Sequence, residues 1–262
     1  MLETAKGAAA LVVVDNGSDD HSATLAAEQG ATLVRFDRNE GFGRGCNAGA
    51  RVASTEFLFF VNPDVRLSTG CIAALEAAAD EVKDLVGANP LILRANGRPD
   101  FKTRSILVSS SRSRRRSVPG VRFPMQVLTG CALFCRRDAF GAVGGFDPAV
   151  FLYHEDHDLA IRLARAGGTL WHVPEAAVQH DAGNGSARTN VVARSKRYHM
   201  ARSRYYTMKK HGLPLPFLRT LLPAALGLFQ PHNVVSRRRF SKYLVQVRGA
   251  TSVLFDGGAY AP

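Results

Sequence analysis

The sequence predicts an α/β chain, a mostly parallel sheet flanked by helices with a basic helical C-terminal appendage. Three observations carry this. Leu11–Asp20 reads LVVVDNGSDD, an apolar run stopped by a carboxylate and an Asn-Gly turn signal. Glu56–Val61 (EFLFFV) is a second such run, stopped by Asn62-Pro63-Asp64. From Leu11 to Leu93, short apolar runs alternate with stretches of helical spacing. That is the order of strands joined by crossover helices.

Leu11 to Val14 reads as a buried parallel strand. Ser18, Asp19 and Asp20 then supply N-cap candidates for a helix over Ser22–Gln29. Thr32–Phe36 is a short strand, and Phe42–Ala53 a helix with Gly and Ala where close packing needs them. Ser68 or Thr69 can cap a helix over Gly70–Lys83, in which Ile72, Leu75, Ala79 and Val82 fall near helical spacing. Val86–Leu93 resumes a strand. Arg94–Arg122 is polar, contains SSSRSRRRS and has Pro99 and Pro119 near its ends, so a mobile basic surface loop is expected. Val127–Phe134 returns to strand, and Phe146-Asp147-Pro148 is a turn. Glu155–Ala166 is a helix closed by Gly167-Gly168. Thr169–Val173 is a strand, His180–Ser186 a loop, and Arg194–Lys210 a basic helix before an apolar-and-basic tail. The composition shift divides the chain into residues 1–190 and 191–262.

With 262 residues, 46% of them apolar, the chain can bury a large core, which argues against wholesale disorder. The net charge of +12 implies an anionic partner: nucleic acid, a membrane surface or a phosphorylated substrate. The basic residues lack interleaved aromatics or a reader motif, so nucleic acid is not expected. Cys46, Cys71, Cys131 and Cys135 form no C-x-x-C pair, which fits a reducing compartment. Cys131 and Cys135 flank an apolar run and are expected to be buried strand thiols. Met1–Ala10 has no signal-peptide apolar region, and no run reaches the ~18 apolar residues of a spanning helix. A cytoplasmic location is expected. Thr220–Gln230 is apolar but too short to span, with Arg237-Arg238-Arg239 beyond it. It reads either as an interfacial anchor on anionic lipid or as part of a core beneath a solvated basic helix.

Four segments carry candidate chemistry. Asp15 stands beyond a strand's carboxyl end, where open α/β sheets bind nucleotides, although such turns are often only solvated. Asn62-Pro63-Asp64 offers a carboxylate to a hard divalent cation bridging a diphosphate, or is an ordinary turn. In His154-Glu155-Asp156-His157-Asp158, Asp156 projects from the first turn of a helix. The helix dipole keeps a carboxylate there ionised and able to accept a hydroxyl proton. The same dipole makes acids common at helix starts, which suffices for Asp158; Glu155 fits either role. His180 follows a strand in VQHDAGNGS as a metal or phosphate ligand, or as a solvated histidine. The glycines of Asn39–Asn47 let backbone approach a phosphate or ring. Ala48 breaks the dinucleotide-binding pattern there, and no Walker A sequence occurs.

Together and in order, VVVDNGSDD, RNEGFGRGCNAG, EFLFFVNPDV, LTGCALFCRRDAFGAVGGFDP, FLYHEDHDLAIRLARAG and VQHDAGNGS resemble the family 2 glycosyltransferases of GT-A fold. The resemblance is to their bacterial rhamnosyltransferase-like branch and runs from about Leu11 to Ser186. It implies inverting transfer of a sugar, rhamnose from a deoxythymidine-diphosphate donor being one candidate. The acceptor would be a glycan or polyprenyl-linked molecule of cell-envelope polysaccharide assembly. It implies that Asp15 contacts the base or ribose, and that Asn39, Gly43 and Asn47 lie in the segment lining the nucleotide pocket. Asp64 matches the last carboxylate of the DxD-type motif that holds Mg or Mn on the donor diphosphate. Asn62 stands where many members have the first Asp, which weakens the charge offered to the metal. Asp156 is implied as the catalytic base, with Glu155 beside it, and His180 as the histidine completing the metal site. The GGFDP segment and the loop before Glu155 are implied to shape the acceptor pocket. Family members begin with a further strand and helix, but only ten residues precede Leu11. That central strand is therefore expected to be missing from the sequence as given, through a start codon called too late, which is the favoured reading, in a truncated inactive copy, or with a second copy supplying the open edge. A non-catalytic nucleotide-binding module is the alternative the same absence suggests.

Overall fold

In the computed structural model, residues 10–101, 105–108, 118, 120–181 and 189–260 are described. The alternating Val-rich run forms β1 (Val12–Asn16), paired in parallel with β2 (Thr32–Phe36) across α1 (Ser22–Glu28). Both strands pair only with each other among the described residues. The following helix α2 (Phe42–Val52) lies on β1 through its glycines: a Cβ on Gly49 would stand 3.1 Å from Val14.

A second, six-stranded sheet follows. It runs β3 (Phe57–Val61), β7 (Ala132–Arg136), β5 (Leu85–Arg94), β8 (Thr169–His180) and β4 (Val65–Leu67), with β6 (Phe123–Met125) also on β8. The α/β class holds, but this sheet is mixed. β5 and β8 are parallel, and every other pairing in it is antiparallel. β7 lies antiparallel between β3 and β5, and the short β4 and β6 lie antiparallel on β8. β7 is apolar from Ala132 to Cys135 for a physical reason. Ala132 and Phe134 pack into the core under α3 (Cys71–Glu81), whereas Leu133 and Cys135 pack into the core with α5 (Glu155–Arg165). Between β7 and α5 lies the short α4 (Arg137–Ala142).

Two strands differ from expectation. The strand predicted over Val127–Phe134 starts at Ala132, because the backbone just before it bonds to the Asn89 side chain instead of to a neighbouring strand. The strand predicted to stop at Val173 continues to His180. Val173 pairs with Pro90 and Ala177 with Leu91, so Pro174–Ala176 bulge out and the ladder resumes. Asp158, read as an acid placed at the helix start by the dipole, is also fully buried and ion-paired to Arg162 at 2.7 Å. Cys135 is buried as expected, but Cys131 precedes β7 and is only half-buried. The SSSRSRRRS run, and the region before Leu11 apart from Ala10, lie outside the described residues.

The described residues fall into two compact units, one within 1–147 and 156–185, the other within 148–155 and 186–262. The second contains α6 (Asn190–Lys210), α7 (Pro216–Leu228), α8 (Pro231–Val234) and α9 (Arg237–Asp256). α6 begins four residues before the predicted Arg194, capped by Thr189 accepting from the Val192 N–H. Glycines bring these helices together: Gly249 meets the Tyr198 carbonyl, and Gly227 lies under the Tyr243 ring. Arg202 ties α6 to Ser252 and Asp256 of α9. Among the described residues no helix is long and apolar enough to cross a membrane.

Gly17 and Gly30 both have φ near +75°, but only Gly17 is enclosed, its Cβ position lying 2.6 Å from the Arg38 backbone. Gly30→Ala is expected to cost about 1–2 kcal/mol from its left-handed backbone alone. Gly17→Ala should cost at least about twice that. Urea unfolding of both variants measures the difference; equal losses would mean that the two turns do not touch.

Candidate active site

The turn at the carboxyl end of β1 is built around two adjacent polar side chains. Asp15 is buried, and its Oδ1 accepts from the Ser18 N–H at 2.9 Å, closing the turn. Its Oδ2 accepts no hydrogen bond among the described residues. The Arg35 Nε, on the paired residue of β2, is 3.2 Å away without the alignment a hydrogen bond needs. A buried carboxylate oxygen left this way is suited to a ligand's hydroxyl or N–H. Asn16 donates to the Asn39 Oδ1 (3.2 Å) and the Gly41 carbonyl (3.1 Å), and accepts from the Glu40 N–H (2.9 Å). Asn39 in turn accepts from the Gly41 N–H. The Asn39–Gly41 loop is thus pinned to β1 by Asn16, a residue that reads in the sequence only as a turn former.

Two of the residues expected to line a nucleotide pocket have packing roles. A Cβ on Gly43 would stand 2.9 Å from the Phe146 Cβ. The Asn47 carboxamide donates to the Phe146 carbonyl (2.8 Å) and accepts from its N–H (2.9 Å). Phe146 is fully buried among Phe42, Phe60 and Phe140. The GGFDP segment is therefore anchored to α2 through Asn47.

The carboxyl end of β3 leads from this loop to the other candidates. The Asn62 N–H donates to the Cys131 carbonyl at 2.9 Å. Next to Cys131, the Gly130 N–H donates to the Asp156 Oδ2 at 3.0 Å, and the His157 N–H donates to Oδ1 at 2.8 Å. Asp156 sits at the start of α5, where the helix dipole favours its charge. Gly130 leaves room for the Phe42 ring, which would lie 3.1 Å from a Cβ there. Asp156 and the Asn39–Gly41 loop are thereby neighbours.

Asp64 follows Asn62 in the β3–β4 turn, and its Oδ1 lies 3.4 Å from the His180 Nε2. His180 ends β8 opposite Val65, so a strand and not a loop holds it; residues 182–188 of the expected loop lie outside the described residues. Among the described residues no group of three or more His, Cys, Asp and Glu could hold a metal. Asp64 and His180 are a two-donor set, and small hard cations on phosphorylated substrates commonly use only one or two protein carboxylates. Glu155 is buried at the first position of α5, directly after Tyr153 and His154. Both of those have φ near +70°, rare for side-chain-bearing residues and costing about 1–2 kcal/mol each.

One residue with no local signal organises this edge. Asn89, buried in β5, donates to the Thr129 (2.9 Å) and Ala132 (2.6 Å) carbonyls and accepts from the Thr129 N–H (2.8 Å).

Residues 5–144 match the family model "Glycosyl transferase family 2", and residues 105–251 match "Glycosyl transferase family group 2". The chain belongs to glycosyl transferase family 2. This family 2 glycosyltransferase is of the rhamnosyltransferase-like branch. It is 29% identical over 210 residues to the N-acetylglucosaminyl-diphospho-decaprenol L-rhamnosyltransferase of Mycobacterium tuberculosis, covering 68% of each chain. It is 27% identical over 178 residues to the pre-mycofactocin glycosyltransferase of the same species, covering 65% of this chain and 37% of that one. Its fold resembles GalNAc-T7, solved with UDP, GalNAc and Mn2+ (TM-score 0.58, 16% identity, 93% of this chain and 51% of that one). It also resembles the mannosyltransferase PcManGT from Pyrobaculum calidifontis, solved with GDP-Man and Mn2+ (TM-score 0.53, 14% identity, 94% and 77%). The glycosyltransferase therefore has the GT-A fold.

Asn89→Ala strands three backbone groups of the 129–132 turn and is expected to cost about 2–4 kcal/mol. Transfer should fall at least about tenfold under conditions where the variant is still folded. Urea unfolding and initial rates measured together check this. Wild-type rates in a destabilised Asn89→Ala would show that the turn does not position Asp156.

Proposed function

We propose that this family 2 enzyme moves a rhamnose-type sugar from a nucleoside diphosphate to a lipid-linked glycan acceptor with inversion, in cell-envelope assembly. The observation that carries the proposal is the Asp156 carboxylate. It is fixed by two backbone N–H groups at a helix start, one of them from Gly130, which precedes the Cys131 carbonyl that receives the Asn62 N–H. The sugar and acceptor rest on the named activity of the M. tuberculosis rhamnosyltransferase.

In this mechanism Asp15 receives a hydroxyl or N–H of the nucleoside on its buried Oδ2, and Asn16 holds the Asn39–Gly41 loop against it. Asp156 takes the proton from the acceptor hydroxyl as its oxygen attacks the anomeric carbon opposite the departing diphosphate. The two N–H groups keep the carboxylate oriented until that moment. Asp64 and His180 would hold a divalent cation, which when bound offsets the charge of the leaving diphosphate. Asn62 brings no charge to that set, so the cation would depend on the diphosphate oxygens for the rest of its ligands.

Asp156→Asn keeps the shape and one of the two backbone contacts, its NH2 being unable to accept the other N–H, and it cannot take a proton. Transfer should drop about 100- to 10,000-fold with donor affinity unchanged by calorimetry. A drop of less than tenfold would remove Asp156 as the base.

Asp64→Ala and His180→Ala should each raise, at least about tenfold, the Mn2+ concentration needed for half-maximal transfer. They should weaken Mn2+ binding to the nucleoside diphosphate complex, read directly by calorimetry. Slower transfer with an unchanged Mn2+ requirement would refute the metal reading.

A further inference from the structure

Residues 182–255 contain fourteen Lys or Arg and no Asp or Glu. The rest of the chain holds 20 of the 34 basic residues against all 22 acidic ones, so the entire positive excess lies in this segment. Within it, α7 buries its small residues Thr220, Ala224 and Gly227 and turns its large ones outward. Leu218, Leu222 and Leu226 recur every fourth residue on the outer face, and Leu215 and Phe229 extend the row. All five are more than half exposed. Single exposed leucines are ordinary; a helical row of them about 20 Å long is not.

Two arginines lie near this row. Arg219 is on α7 beside Leu218, and Arg204 of α6 is close enough that burial and the Arg219 charge together pull its guanidinium below the usual range. The Arg204 Nε is buried and makes no hydrogen bond among the described residues. Neither arginine has a carboxylate within ion-pair distance among those residues. Beyond the row, exposed Val234 and Val235 lead into the exposed run Arg237-Arg238-Arg239.

We propose that the outer face of α7, with Arg219 and the Arg237–Arg239 run, docks on the surface of an anionic lipid bilayer. A bilayer interface offers an apolar phase to the leucines and phosphate charge to the arginines at once. A second copy of the chain would set like charges together across a two-fold contact. An acidic peptide or nucleic acid would leave the leucine row in water. The proposal goes beyond sugar transfer and requires neither donor nor acceptor.

The test floats the full chain with vesicles of phosphatidylcholine alone or mixed with phosphatidylglycerol. The wild type should bind the mixed vesicles, release them as salt rises, and bind phosphatidylcholine poorly. Leu218→Gln with Leu222→Gln and Leu226→Gln should cut binding at least about tenfold. Arg237→Gln, Arg238→Gln and Arg239→Gln should cost about fivefold per arginine removed. These side chains are exposed, so helical circular dichroism and melting should be unchanged. Absent binding, equal binding to both vesicles, or leucine variants that bind as the wild type would each overturn the proposal. So would a dimer that the leucine variant turns into a monomer with no vesicle binding. Wild type that binds mixed vesicles but transfers no sugar would refute the enzymatic reading and leave this one standing.

Discussion

Asn89 holds the turn on which the edge of the sheet depends. β6 and β7 both run opposite to the parallel β5–β8 pair, so the chain crosses from one to the other through residues 126–131, none of them exposed, where water cannot complete backbone hydrogen bonds. The β5–β7 ladder ends at Ala88 and Phe134. One residue further, the Asn89 side chain takes over, supplying two donors and an acceptor to the Thr129 and Ala132 backbone. With those groups satisfied, the Gly130 N–H is left to face Asp156, and the Cys131 carbonyl to receive Asn62. A single buried carboxamide thus connects sheet registration to the geometry of the carboxylate assigned as base.

What the sequence revealed and what it hid follow from the range of the forces involved. Helical periodicity identifies α3 and α5, because Leu75, Ala79, Leu159 and Leu163 all face cores that their own spacing defines. The break inside VLTGCALF is hidden, since Thr129-Gly130 is apolar enough to pass as strand and its partner Asn89 is forty residues away. His180 was misread because Pro174 usually ends a ladder; a bulge absorbs the proline and lets β8 continue. Asp15, Asp64, Asp156 and His180 were visible as polar residues at element ends. Asn16 and Asn89 were not, because an asparagine that pins distant backbone has the same local signature as one that merely turns.

The glycines of α2 illustrate a second limit. Three glycines after a strand suggest close approach to a phosphate, yet the approach observed at Gly43 and Gly49 is to Phe146 and Val14. Absence of a Cβ reports that something comes near, not what it is. The same holds for α7, where the apolar run read equally as core or anchor. Its small residues fix which face turns inward, since Gly227 admits the Tyr243 ring. The leucines then face out by geometry, against their own preference.

Charge partition bears on both surfaces. Outside residues 182–255 the chain has a slight acidic excess. The arginines around the β1 and β2 turns already face carboxylates: Arg35 with Asp15, and Arg38 and Arg44 with Glu40. Net charge in the sheet unit therefore does little to stabilise a diphosphate leaving group carrying two or more negative charges. Directed N–H groups can compensate part of it, and a cation between Asp64 and His180 can compensate most. That requirement, more than the DxD-type pattern with its Asn62, is the physical argument for a metal in the transfer reaction. The positive excess that marks the sequence belongs to the helical unit, and it speaks to a different partner.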